Sequence, residues 1–144
     1  MKIGSILSHK GEFVATISPD ESVARLLELL SEHNIGAVVV TNDDDSVSGI
    51  VSERDVVRGG NDIGKKILKR PVSSIMTPVV ATCTVDSQVE ELMVTMTEER
   101  VRHIPVMDEE SGRMVGIVSI GDVVRARIDH LEDEKKNLVN YITS

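Results

Sequence analysis

The sequence predicts an α+β fold in which one β-α-β-β-α motif is built twice. The first observation behind this is a repeat: Gly-Ile-Val-Ser-Glu-Arg-Asp-Val-Val-Arg at 49–58 returns as Gly-Ile-Val-Ser-Ile-Gly-Asp-Val-Val-Arg at 116–125. The second is that the rest of each half keeps the same order. Val14-Ala15-Thr16 matches Val80-Ala81-Thr82, Asp20 matches Asp86, Val23 matches Val89 and Ile35 matches Val101, all at one constant offset. Self-similarity of this kind sets the architecture before any local assignment. The third is composition: 144 residues with 40% hydrophobic content suffice for one compact domain or two small halves sharing a core. Aromatic content is 1%, only Phe13 and Tyr141, so that core is aliphatic.

Each element follows from local pattern. Residues 13–17 read as a short strand and Ser18-Pro19-Asp20 as a break. Val23, Leu26, Leu27 and Leu30 then recur at helical spacing opposite Arg25, Glu28 and Glu32, and the second half keeps that face as Val89, Leu92, Met93 and Met96. Asn34 is suited to end the first helix in a left-handed conformation, after which 36–40 read as a strand buried on both sides. Residues 41–46, with three aspartates, form a solvated turn into a strand at 47–52. These aspartates lack the glycine and distal glutamate of a calcium loop. A helix begins near Glu53, Gly59-Gly60-Asn61-Asp62 is expected to break it, and 63–68 form a basic turn or short helix before Arg70-Pro71.

The second half runs as strand, helix, a strand at 103–107, a turn at 109–112, a strand at 114–119 and a closing helix. Its first strand is placed on the run 79–83, where the lone cysteine, Cys83, has no neighbouring base or cation and reads as a packed thiol. Val72-Ser73-Ser74-Ile75-Met76 resembles Ile3-Gly4-Ser5-Ile6-Leu7, so each half opens with the same lead-in. The resulting boundaries are 1–60 for the first motif, 61–71 for a linker, 72–129 for the second motif and 130–144 for a C-terminal helical extension. In the closing helix Val124, Ile128, Leu131, Leu138 and Ile142 leave an apolar stripe, with Lys135 interposed, which favours a subunit contact.

Charge and motif content exclude several functions. A net charge of −8 disfavours nucleic-acid binding, and no run approaches a membrane span or the apolar core of a signal peptide, so a cytoplasmic protein is expected. No nucleophile stands beside a base, no Gly-rich phosphate loop is present, and His9, His33 and His130 have no metal-ligand spacing, so neither catalysis nor a metal is expected.

What remains is the pair of Ser-x-x-Asp turns, Ser52 to Asp55 and Ser119 to Asp122, each where a strand becomes a helix. A helix N-terminus presents free N–H groups and favours negative charge, so such a turn can hold a phosphate or a sugar hydroxyl. The same pattern is also close to a capping box, which needs no ligand.

Two copies of lead-in, strand, helix, two strands with Gly-hydrophobic-hydrophobic-Ser-x-x-Asp at the exit, and a second helix resemble a pair of CBS domains, the Bateman module. The most specific elements are 49–55, 116–122 and Arg102-His103-Ile104-Pro105-Val106. The resemblance implies two motifs packed sheet to sheet, binding an adenosine-containing ligand: AMP, ADP, ATP, S-adenosylmethionine or a dinucleotide such as NAD(H). Carried over by position, it assigns Thr82, Arg102, His103, Pro105, Ser119 and Asp122 to one site and Thr16, Gly36, Ala37, Ser52 and Asp55 to the other. Each Asp would take ribose hydroxyls, each Ser or Thr would approach ribose or phosphate, and apolar strand residues would flank adenine.

An ionised carboxylate suits a cis-diol and the arginine fork suits phosphate. The first motif has Gly36 and Ala37 where the second has Arg102 and His103, so the Asp122 site is expected to hold phosphate more readily, unless Arg54, Arg58, Lys65 or Lys66 reaches the other. A strand-start histidine such as His103 is equally read as a half-buried, hydrogen-bonded residue. The expected function is a non-catalytic sensor whose ligand occupancy alters dimer geometry and an unidentified partner's activity; the alternative is a scaffold with no ligand.

Overall fold

The computed structural model describes every residue except Glu12 and Ser144. In chain order the elements are α1 (Ile3–Lys10), β1 (Thr16–Ile17), α2 (Val23–His33), β2 (Ala37–Thr41), β3 (Val47–Ser52), α3 (Glu53–Ile63), β4 (Thr77–Pro78), α4 (Val89–Glu99), β5 (His103–Met107), β6 (Met114–Ser119) and α5 (Ile120–Thr143). Two 3-10 turns, Gly64–Lys69 and Val72–Ser74, lie between α3 and β4. The fold is mixed α+β, and the chain forms two compact units: Phe13–Val80, and Met1–Glu12 together with Ala81–Ser144.

In the unit 13–80 the sheet order is β1-β2-β3-β4, with β1 parallel to β2 and the other pairs antiparallel. Val38, Val39 and Val40 are all buried, as a strand covered on both faces requires. Helix α2 starts where Ser22 Oγ accepts from the Arg25 N–H at 3.2 Å and stops where Asn34 turns left-handed at φ 50°. It buries Val23, Leu26 and Leu30, whereas Leu27, placed on the same face by its spacing, is 37% exposed.

The expected break at Gly59-Gly60 is incorrect, because α3 runs through both glycines to Ile63. Each glycine costs a helix interior about 1 kcal/mol relative to alanine. Here packing overrides propensity: a side chain on Gly59 would collide with Ile67 Cδ1, so the bare backbone lets the buried Ile67 of the following 3-10 turn lie against the helix.

The other unit contains a pairing that the repeat does not announce. Helix α1 packs with the second copy: Ile3, Ile6 and Leu7 are buried in one cluster with Val89, Leu92, Met96, Ile104, Val106, Val118 and Val123. Its first turn is tied down by Ile3 N–H to Ser87 O and Gly4 N–H to Val85 O, both at 2.9 Å. The second lead-in does the converse, with Val72 buried among Leu26, Leu30, Val38 and Val51 of the first copy. The matching glycines of the repeat receive these lead-ins. A Cβ on Gly116 would lie 2.7 Å from Leu7 Cδ2, and one on Gly49 would lie 2.7 Å from Thr77 O and 3.0 Å from Met76 Sδ.

The run 79–83 is accordingly not a strand. The chain passes from one unit to the other between Val80 and Ala81, and β4 has already ended at Pro78. Of that run only Cys83 pairs among the described residues, as an isolated parallel bridge to Val106. It is held by Cys83 N–H to Pro105 O at 3.0 Å and Met107 N–H to Cys83 O at 2.8 Å. Its thiol is buried and pushed up to about 11 by desolvation, which makes it an inert packing group.

Candidate functional site

The two Ser-Asp turns form at equivalent places. In the unit 13–80, β3 ends at Ser52, whose cross-strand partner is Ala37, and α3 starts at Glu53. Asp55 Oδ2 accepts from the Ser52 N–H at 2.8 Å and from Ser52 Oγ at 3.1 Å, while the Asp55 N–H donates to Ser52 Oγ at 3.4 Å. This closes a capping box. Asp55 Oδ1 accepts from Thr77 Oγ1 at 3.2 Å, so a residue next to the second lead-in reaches the first copy's carboxylate. Gly36 is exposed and its carbonyl accepts from the Glu53 N–H at 3.0 Å, and Thr16 is exposed at the start of β1, beside Val39. Arg54, Arg58, Lys65 and Lys66 are all exposed, and none of them forms a salt bridge with Asp55 among the described residues.

In the other unit β6 ends at Ser119, opposite His103 on β5, and α5 follows. The Ser119 N–H donates to Asp122 Oδ2 at 2.9 Å and the Asp122 N–H donates to Ser119 Oγ at 3.1 Å. A further partner comes from α1: Lys10 Nζ donates to Asp122 Oδ2 at 2.6 Å and to Ile117 O at 2.9 Å. Burial works against ionisation of Asp122, but the hydrogen bonds and charge of Lys10, with the Ser119 N–H, hold its carboxyl below the usual range. Asp122 Oδ1 accepts no hydrogen bond among the described residues.

The surroundings of Asp122 are cationic. His103 is half-buried, and desolvation, then Lys10, and more weakly Arg102, push its pKa down against the opposing pull of Asp122. Its imidazole is therefore held neutral more readily than a free one. Arg102 is exposed while its carbonyl accepts from the Ile120 N–H at 2.8 Å, anchoring the start of α5. Pro105 is buried two residues along β5, opposite Ile117, and the exposed Thr82 precedes the bridge residue Cys83.

The fold thus brings Arg102, His103, Ser119 and Asp122 together at one strand end, and Gly36, Ala37, Ser52 and Asp55 at the other. Sequence reasoning missed Lys10 and Thr77, because neither belongs to the motif whose carboxylate it touches.

A cavity of about 730 Å³ lies beside the Asp122 turn, between α1 and the first turns of α5. It is lined by Ser5, Ile6 and Lys10 from α1 and by Asp122, Arg125 and Ala126 from α5, with Asp129, Glu132 and Asp133 farther along. Of the residues assigned from sequence, only Asp122 lines it. No cluster of His, Cys, Asp and Glu able to hold a metal occurs among the described residues.

Residues 8–61 and 72–129 each match the CBS domain family, which between them cover most of the chain. The chain belongs to the CBS domain family. A mitochondrial CBS domain-containing protein of Arabidopsis thaliana is 36% identical over 127 residues, which is 85% of this chain and 61% of the relative, so the chain spans about three fifths of that relative's length. The crystal structure of a CBS-domain protein from Agrobacterium tumefaciens superposes with a TM-score of 0.81 at 45% identity, covering 88% of this chain and 92% of that one. The fold is also that of a CBS domain protein from Pyrobaculum aerophilum complexed with AMP, with a TM-score of 0.74 at 22% identity over 85% of this chain and 89% of that one. Both Ser-Asp turns lie at the β-to-α junction of a CBS motif.

Proposed function

We propose that this CBS-domain pair is a non-catalytic regulatory module that binds an adenosine-containing ligand, with Asp122 and Asp55 as the ribose-binding carboxylates. The observation that carries this is the duplicated junction itself: a carboxylate fixed at a helix N-terminus in each motif. At Asp122 one oxygen is immobilised by backbone and lysine, and the other is left to accept a hydroxyl. A carboxylate so oriented recognises a sugar diol through charged hydrogen bonds without first having to be ordered. That the fold accommodates AMP in the Pyrobaculum protein supports this choice of ligand class. Ligand occupancy would act on a partner protein through its differential affinity for two conformations, with the exposed stripe of α5 as the contact of a homodimer.

A scaffold reading is favoured by one specific fact, that both Ser-Asp pairs are already satisfied as helix caps. Thermal unfolding with AMP, ADP, ATP, NADH and S-adenosylmethionine decides between them. A ligand at 100 times its dissociation constant adds about 2.7 kcal/mol to the folded state. One ligand is expected to raise the melting temperature of the native chain and to lose that increment in Asp122→Ala or Asp55→Ala. No increment with any of the five leaves the motifs as caps and the module as a scaffold.

A further inference from the structure

We propose that Lys10 sets the charge of the ligand accepted at the Asp122 site, making it selective for phosphorylated over uncharged adenosine compounds. This rests on the adenosine-binding reading above and adds a residue outside both motifs. A lysine ammonium has three N–H donors, and here two are committed, to Asp122 Oδ2 at 2.6 Å and Ile117 O at 2.9 Å. The third is available to an anion in the cavity that Lys10 itself lines. Those two bonds also fix the position of the ammonium, so an arriving phosphate meets a cation already in place.

The placement of charge, and not its sum, bears on the assignment, because the cavity is lined by four carboxylates as well as by Lys10 and Arg125. At the Asp122 turn Lys10 cancels the carboxylate and Arg102 remains, close enough to lower the pKa of His103. Arg125 lines the same cavity. Asp129, Glu132 and Asp133 also line it, and Asp129 is seven residues or about 10 Å farther along α5 than Asp122, so the carboxylates beyond Asp122 favour an anion at the end where Lys10 stands. At the Asp55 turn the hydrogen-bond partners are Ser52 and Thr77, both neutral, and Asp55 forms no salt bridge among the described residues. The two turns share a motif; Arg102 and His103 in place of Gly36 and Ala37 are differences the motif encodes, and Lys10 is a cation on the Asp122 carboxylate that neither motif encodes.

Binding of AMP and of adenosine to the full-length chain, measured by calorimetry for native protein, Lys10→Met and Lys10→Arg, tests this. The native chain is expected to prefer AMP. In Lys10→Met the AMP-to-adenosine affinity ratio is expected to fall about tenfold, equivalent to about 1.4 kcal/mol, beyond any loss that both ligands share because the Asp122 carboxylate is freed. Lys10→Arg should restore most of the ratio, which separates loss of charge from loss of α1 packing. An unchanged ratio in Lys10→Met, or failure of the arginine to restore it, overturns the role of Lys10 while leaving adenosine binding intact. Absence of any binding by the native chain overturns the adenosine-binding reading itself, and this inference with it.

Discussion

His103 shows at the scale of one residue how environment decides chemistry. Its desolvation and the nearby Lys10 lower its pKa below the ordinary 6.5, so between those two values the unfolded chain binds a proton that the folded chain refuses. Stability therefore falls as pH drops through that window and levels off once both states are protonated. Asp122 behaves differently: its lowered pKa contributes stability above the ordinary 3.8 that is lost only in more acid solution. The expected outcome is a loss of melting temperature just below pH 6.5 in the native chain that is flattened in His103→Gln, with the acid limb retained. Equal slopes in both proteins would mean that His103 is solvated.

At this scale the sequence made Ser52, Asp55, Ser119 and Asp122 legible, because each repeats at the same step of a strand-to-helix junction. Lys10 and Thr77 were illegible for a physical reason: their contacts depend on which copy the preceding segment packs against, and periodicity within a motif carries no information about that.

At the scale of elements, the glycines carry the lesson. Gly59 and Gly60 look alike as helix breakers, yet α3 contains both, and only Gly59 has a neighbour close enough to need the missing side chain. Gly49 and Gly116 read as ordinary strand residues of the repeat. They are the contact points where Met76 and Leu7 of the exchanged lead-ins rest on β3 and β6. Local pattern placed the strands at 47–52, 103–107 and 114–119 at their observed bounds and the one at 36–40 a residue early, since their partners are adjacent hairpin strands. It misplaced the strand at 79–83, whose fate is set by a distant crossing of the chain.

These differences convert to stability. In Gly49→Ala the new Cβ meets a backbone oxygen at 2.7 Å that cannot rotate away, and a cost of about 1–3 kcal/mol is expected from overpacking. Gly60→Ala meets nothing within 4 Å and should gain up to about 1 kcal/mol of helix propensity. Urea unfolding of the two variants should move in opposite directions, and a Gly49→Ala protein as stable as the native chain would show that β4 can withdraw from β3.

At the scale of the whole molecule, the aliphatic composition and the repeat were enough to identify two copies, but not the exchange of their lead-ins. The reason is that Ile3, Ile6 and Leu7 are chemically interchangeable with Val72, Ile75 and Met76, so either pairing satisfies the hydrophobic pattern. The closing helix poses the remaining question at this scale. Its 24 residues extend about 36 Å, yet only Val123 is buried. Beyond the first turns, Ile128, Leu131, Leu138 and Ile142 are 45–79% exposed. A helix in water draws most of its stability from packing an apolar face, and this face leaves about half or more of each of these side chains exposed.

A second copy covering that face would supply the missing burial, at about 25 cal/mol for each Å² of apolar surface removed from water. Ending the chain after His130 removes Leu131, Leu138 and Ile142 while sparing every residue of the buried cluster around Val123. The truncated protein is therefore expected to keep the melting temperature of a folded CBS pair at high dilution, where native subunits have also separated. At micromolar concentration, sedimentation should show the native chain as a dimer and the truncated one as a monomer. A truncated chain that still sediments as a dimer would move the contact off α5 and onto the motifs themselves.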